Sequence, residues 1–348
     1  MKKVALSIRP KEAVQTILKT LPNKRLRDVI ERRFGIRGSA ATLDAIGKTY
    51  GITRERVRQI ENDALKHLKK TDLAQYLSGI FRDIAGYAAN YGGVVSREEF
   101  LRGIADEGDG AHAELLMTLH PQIKYAPESE EYHPRIYIEK EKLGNSERVM
   151  GGVMAQLREN KSVLSRNALV GLVSDAYASV YGSRPSDDVV DEHIRFCKHI
   201  GKNSYNEYGL LEWATIQPKS IRDKAYVILL KSKKPMHFQQ VALAIDQSGF
   251  RGKKRAHPQT VHNELIKDST RFVLVGRGLY ALREWGYEPG TVRNVIEGIL
   301  RRENTAMSKE MIVQAVMEKR FVKENTIMLN LQNRQYFKKN DSGAYHLA

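Results

Sequence analysis

A single cysteine, Cys197, stands among the 348 residues. It leaves no internal disulfide to staple the fold, and a reducing compartment suits such a chain. Only two tryptophans occur, Trp213 and Trp285. No apolar run approaches the roughly 18 residues that a membrane span needs. The opening stretch MKKVALSIRPKEAVQ is basic but holds no apolar core of signal-peptide length, so a cytoplasmic location is expected and no membrane partner. There is no Walker loop, no HExxH and no Rossmann glycine pattern. His193 and His199 flank Cys197, but zinc needs more ligands at finger spacing, and the thiol reads as a half-buried helix residue. No acidic metal cluster accompanies the basic segments. The expectation is a protein that is not an enzyme, with no cofactor, no metal and no small-molecule substrate.

What is present is positive charge, unevenly spread. The formal net charge is +16. Residues 1–71 carry 18 Lys/Arg against 7 Asp/Glu, and residues 218–287 carry 14 against 5. Between them, residues 72–145 carry 7 against 13, and residues 146–217 carry 8 against 9. Residues 288–348 carry 10 against 7. Two basic blocks are thus separated by an acidic and a neutral one. A polyanion would contact the basic blocks, and the acidic block, with Glu128, Glu130 and Glu131, would repel phosphate and suit a protein contact or a spacer.

From residue 73 onward the chain repeats a pattern about every 70 residues. Each copy has an apolar-periodic helix, a break, a small polar residue opening a second helix, a third helical stretch and two short β-rich segments around a turn. The second helices open at Ser96, Ser165, His237 and Ser308. Ser96 with Glu99 spells a capping box, and Ser165 and Ser308 are N-cap residues. The closing hairpins are IKYAPESEEYHPRIYI, NSYNEYGLLEW, FVLVGRGLYAL and YFKKNDSGAYHL, where Gly276, Gly278 and Gly343 are expected to supply positive φ. Three helices and a two-stranded wing make a winged-helix unit. The predicted fold is mostly α and multi-domain: a helix-turn-helix at 1–71, then winged-helix units at 72–145, 146–217, 218–287 and 288–348.

The strongest local signal is TLDAIGKTYGITRERVRQIENDALKHLKK, Thr42 to Lys70. Leu43, Ile46 and Tyr50 share one helical face, Gly51 suits a left-handed helix end, and Thr53 can cap the next helix. In that second helix Val57, Ile60, Ala64, Leu65 and Leu68 form an apolar stripe. Arg54, Glu55, Arg58 and Gln59 fall opposite it in the first two turns. A recognition helix has this layout, because its N-terminal turns enter the major groove and long polar side chains reach base edges. Arg56 and Lys66, with Lys69 and Lys70, suit phosphates.

The stretch RLRDVIERRFGIRG followed by this motif resembles region four of the major sigma factors of bacterial RNA polymerase, from about Arg25 to Lys70. TRERVRQIE is close to that family's own wording. The resemblance implies promoter-like double-stranded DNA as a partner, read by Arg54, Glu55, Arg58 and Gln59. It also implies contact with the flap of the polymerase β subunit through Val29, Ile30, Arg33 and Phe34. Nucleoid association would follow. Leu26 and Ala45 replace residues that are polar in the family. Nothing here resembles the aromatic-rich region with which a complete sigma factor melts DNA, and both tryptophans lie beyond residue 200. A region-four module joined to something else is expected.

The second basic block holds Arg251, Lys253, Lys254 and Arg255 just before a helix opened by Pro258. On that helix Val261 and Leu265 point inward, while Gln259, Thr260, Asn263 and Lys267 point out. Arg277 sits on the wing, where it can reach a phosphate or a minor groove. PMHFQQVA, HPQTVHNEL and FVLVGRGLYAL, in that order, resemble the HARE-HTH winged-helix family over about Lys219 to Tyr287. That family includes the delta subunit of bacterial RNA polymerase. The resemblance implies DNA binding or association with polymerase, the latter through winged helices that mainly bind protein.

Overall fold

The computed structural model of the chain describes residues 3–250 and 255–348. It divides into two compact units, residues 1–200 and residues 201–348.

The first unit starts with α1 (Pro10–Lys19), α2 (Lys24–Phe34), α3 (Leu43–Tyr50) and α4 (Arg54–Leu68). Their ends follow local rules. Asn23 caps α2 by accepting from the Leu26 amide at 2.9 Å, and Gly35 closes it in the left-handed region at φ 73°. A Cβ at Gly35 would sit 2.8 Å from the Ala40 amide nitrogen, so only glycine fits this turn. Next come α5 (Thr71–Tyr76), α6 (Ser78–Asn90), β1 (Val94–Ser96), α7 (Arg97–Ile104), α8 (Gly110–Leu119), β2 (Lys124–Ala126) and β3 (Arg135–Tyr137). The strands form an antiparallel sheet in the order β1-β3-β2, with Val95 and Tyr125 both paired to Ile136. The unit ends with α9 (Lys140–Asn160), α10 (Arg166–Tyr181) and α11 (Asp187–Phe196).

Residues 1–71 do not pack apart from residues 72–145. Ala13, Val14, Ile17 and Leu18 of α1, Ile30 of α2 and Leu68 of α4 share one core with Leu77, Ile80, Phe100 and Leu116. Helix α8 lies against both α1 and α2. The boundary expected at residue 145 falls inside α9, which runs unbroken to Asn160. Periodicity marks helices but is silent about which apolar faces meet.

Two local expectations fail. Ser96 accepts from the Glu99 amide, yet Glu99 does not return the bond. The Ser96 amide donates instead to Glu192 of α11 at 2.6 Å, and Arg195 bridges Glu192 and Glu99. A tertiary carboxylate has replaced the local half of the capping box. Burial pushes the Glu192 carboxyl up from its ordinary range, against the lowering effect of these hydrogen bonds. The second failure is Gly276, which ends a strand without positive φ; Gly278 and Gly343 do adopt it, at 67° and 88°.

The chain passes through β4 (Ile200–Lys202) and β5 (Tyr208–Leu210), a two-stranded sheet. The second unit continues with α12 (Ile221–Ser232), β6 (Met236–His237), α13 (Phe238–Gln247), α14 (Pro258–Lys267), β7 (Phe272–Gly276) and β8 (Leu279–Leu282). Its sheet order is β6-β8-β7. Last come α15 (Val292–Glu303), α16 (Lys309–Lys319), α17 (Glu324–Leu331), β9 (Phe337–Lys339) and β10 (Tyr345–Leu347). Residues 218–287 and 288–348 have separate cores, around Leu229, Val261 and Tyr280 and around Ile296, Ile312 and Phe337. Ser165 and Ser308 cap their helices as expected, and His237 forms a reciprocal capping box with Gln240. The short strand before the second helix, β1 in one repeat and β6 in another, is not legible in the sequence, because two or three residues carry no periodicity.

Candidate nucleic-acid interface

Helices α3 and α4 are joined by a turn that the sequence dictates almost atom by atom. Thr42 caps α3 through the Ala45 amide at 3.2 Å, and Thr53 caps α4 through the Arg56 amide at 3.2 Å. Gly51 takes φ 62°, and the Ile52 amide donates back to the Gly47 carbonyl at 3.0 Å. Gly47 is forced for a different reason. A Cβ there would lie 2.7 Å from the Ile52 carbonyl oxygen. The two helices pack with α2 around Val29, Ile46, Val57 and Ile60.

The buried residues of α4 are Val57, Ile60, Ala64 and Leu68, with Leu65 half-buried. Arg54, Glu55, Arg56, Arg58 and Gln59 are all exposed, as are Thr53 and Lys66. The exposed set is internally organised. Arg58 donates twice to the Glu55 carboxylate, at 2.9 and 2.6 Å. This hydrogen bonding holds Glu55 below the usual carboxylate range. Arg56 donates to the Gln59 amide oxygen at 2.9 Å. In the free protein Arg58 and Gln59 are therefore already hydrogen-bonded to side chains one turn away on the same helix. Helix α2 is pinned beneath by Arg33–Glu61 at 3.3 Å and by Tyr50 donating to Asp28 at 2.5 Å. Lys48, exposed on α3, was not singled out by the sequence. An exposed cation on the first helix of such a pair is suitably placed for the DNA backbone.

A helix pair joined by such a turn is a helix-turn-helix, the form in which a second helix with an open polar face enters a DNA groove. A family model described as sigma-70, region 4 matches residues 17–70. The match starts earlier than Arg25, taking in the end of α1. That family is a DNA-binding helix-turn-helix of transcription initiation that acts with RNA polymerase.

The expected flap-facing residues fare differently. Val29 and Ile30 have no exposed surface; Val29 faces α3 and α4, and Ile30 faces the core shared with α8. Of the apolar and basic face expected there, the two aliphatic side chains are split between two cores. Arg33 is about two-fifths exposed, and Phe34 is half-buried against the shared core.

Of the second basic set, Arg251, Lys253 and Lys254 lie outside the described residues. Arg255 is exposed, and α14 presents Gln259, Thr260, Asn263 and Lys267 outward. Gln259 donates to Asn263 at 3.3 Å, and Lys267 lies 3.6 Å from Glu264. Arg277 is exposed at the tip of the β7–β8 hairpin. Gly278 beside it is obligatory, since a Cβ would meet the His237 ring at 2.5 Å. Leu243, Ile266 and Leu274 are exposed on the same subdomain, at 58%, 55% and 47%, which no pattern in the sequence signals.

Cys197 is buried, 3.9 Å from the Met154 sulfur, and burial pushes its thiol up. His193 donates from Nδ1 to the Val189 carbonyl at 2.8 Å, and burial pushes it down to about 4. Both belong to packing around α11. No group of three or more possible metal ligands occurs among the described residues. None of the described helices is long and apolar enough to cross a membrane.

Proposed function

We propose that this chain is an accessory transcription protein that reads promoter-like double-stranded DNA with α4 and acts with RNA polymerase, without being a complete sigma factor. The observation that carries the reading is the capped, sigma-type recognition helix with Arg54, Glu55, Arg58 and Gln59 on its open face. Arg58 is suited to guanine O6/N7, Gln59 to adenine N6/N7 and Glu55 to the cytosine amino group. Arg56, Lys66 and Thr53 contact phosphates in this reading. Polymerase contact falls to Arg33 and Phe34, the accessible part of the expected flap-facing set. A DNA partner of this kind places the protein on the nucleoid.

The test is binding of the full chain to a panel of duplexes enriched by selection. Arg58→Ala is expected to weaken the selected duplex by about 1–3 kcal/mol, the worth of one bidentate base contact, and to leave non-specific duplex almost unchanged. Equal affinity of wild type and variant for every duplex would reject the reading.

A second reading concerns residues 218–287, taken as a HARE-HTH-type winged helix. Arg255, Gln259, Thr260, Asn263, Lys267 and Arg277, with Arg251, Lys253 and Lys254, form a second DNA-facing set. The exposed Leu243, Ile266 and Leu274 favour protein contact instead, in the manner of a delta-like polymerase subunit, because apolar side chains gain nothing from phosphate. Retention on core polymerase in high salt, lost in Leu243→Glu with Ile266→Glu, supports the protein-binding role; no retention on polymerase, with salt-dependent retention on duplex DNA, supports DNA.

A further inference from the structure

In the first unit a groove of about 860 Å³ runs along the outer face of α6. Its floor is made of Leu77, Phe81, Leu119 and Ile138. One wall is the end of α4, with Leu68 and Lys69; the other is the β3–α9 junction, with Lys142. Beside Phe81 and Arg82, four of the side chains that α6 adds to the lining are small: Ser78, Ala85, Gly86 and Ala89. A Cβ placed on Gly86 meets nothing within 4 Å, so the fold itself does not call for glycine there. A glycine inside a helix costs about 1 kcal/mol relative to alanine, and small residues on a helix face let another backbone approach closely.

The rim is cationic. Lys69 and Arg82 are exposed. Lys124 is exposed and spends one donor on the Pro121 carbonyl at 3.1 Å. Lys142 lies 3.8 Å from Glu139, the one acid among the described residues that line the groove. Four cations surround an apolar floor, and three of them, Arg82, Lys124 and Lys142, belong to residues 72–145, a segment with 7 Lys/Arg against 13 Asp/Glu. A uniform polyanion is repelled by such a segment and does not fill an apolar trough. A helix with an apolar, small-residue stripe and flanking carboxylates meets both requirements.

We propose that this groove docks an acidic amphipathic helix of a partner protein. From Ser78 to Ala89 it is roughly 16 Å long at 1.5 Å per residue, enough for three helical turns. Docking takes the helix-in-groove form, with anchors at i, i+3/i+4 and i+7. Because Leu68 ends α4 and Lys69 is its C-cap, the occupant touches the end of the same helix that carries the base-reading face. The assignment does not depend on what that face reads.

The probe is a fluorophore-labelled 15-residue designed peptide with Leu and Ala on one helical face and Glu on the other. An isomer with Lys in place of Glu is the control. With the full chain at moderate salt, the Glu peptide is expected to bind by fluorescence anisotropy and the Lys peptide not. Gly86→Leu fills the groove at an exposed helical site and favours the helix by propensity, so it is expected to keep the fold by circular dichroism and to weaken the peptide at least tenfold. Arg82→Glu with Lys124→Glu is expected to weaken it as strongly without touching the floor. Absence of Glu-peptide binding, equal binding of the Lys peptide, or undiminished binding to a folded Gly86→Leu variant each overturns the proposal.

Discussion

At the scale of single residues, the recognition face is held by pairs that are strong in geometry and weak in stability. Glu55 and Arg58 are both more than half exposed, and exposed ion pairs contribute little to folding. Glu55→Ala is therefore expected to move the unfolding midpoint negligibly while changing base preference, as read by a selected duplex library. A shift in stability without a shift in preference would show that the pair serves the helix and not the DNA. His193 behaves in the opposite way. It is almost wholly buried, between Tyr177 and Phe196, and its pKa of about 4 lies below the ordinary value of 6.5. The unfolded chain thus takes up the proton first as pH falls. Stability from the neutral ring is complete above pH 6.5 and declines as pH drops toward 4, by on the order of 3 kcal/mol. Urea unfolding of the full chain at several pH values should show this decline, and His193→Gln should flatten it.

At the scale of elements, caps and turns decide where helices begin, and the side chains proposed to read bases inherit their positions from those caps. Thr53→Ala removes one N-cap acceptor and is expected to cost about 1 kcal/mol. The loss should appear as faster amide hydrogen exchange in the first turn of α4 and as weaker DNA binding. Gly47→Ala is the harsher change, since its Cβ would fall 2.7 Å from the Ile52 carbonyl oxygen. It is expected to shift the α3–α4 turn and abolish specific binding while α1 and α2 stay helical; a variant that binds normally would mean the turn yields without moving α4. These features were legible in the sequence because each depends on neighbours a few residues apart. Thr-x-x-Arg, Gly51 and the spacing of Val57, Ile60 and Ala64 are sufficient. The capping box at Ser96 was misread for the converse reason: its second acceptor, Glu192, lies 96 residues away.

At the scale of the whole molecule, the sigma-type module is not free-standing. Ile17, Leu18 and Leu68 are buried against α6–α8. A fragment ending at Lys70 would expose them, and burial of each such side chain is worth about 1.5–3 kcal/mol. The fragment is expected to unfold at a clearly lower urea concentration than residues 1–200, by circular dichroism. An equal midpoint would show the shared core to be dispensable. The mostly helical class, the helix-turn-helix, its exposed Arg54–Gln59 face and the uneven charge all follow from the order of residues, since periodicity, capping and composition are local properties. That Val29 and Ile30 are core, that α9 runs through an expected boundary and that α6 leaves a groove with a cationic rim open emerges only when the helices pack. Those outcomes depend on which apolar faces meet across long stretches of chain, and a pattern along one helix does not carry that information.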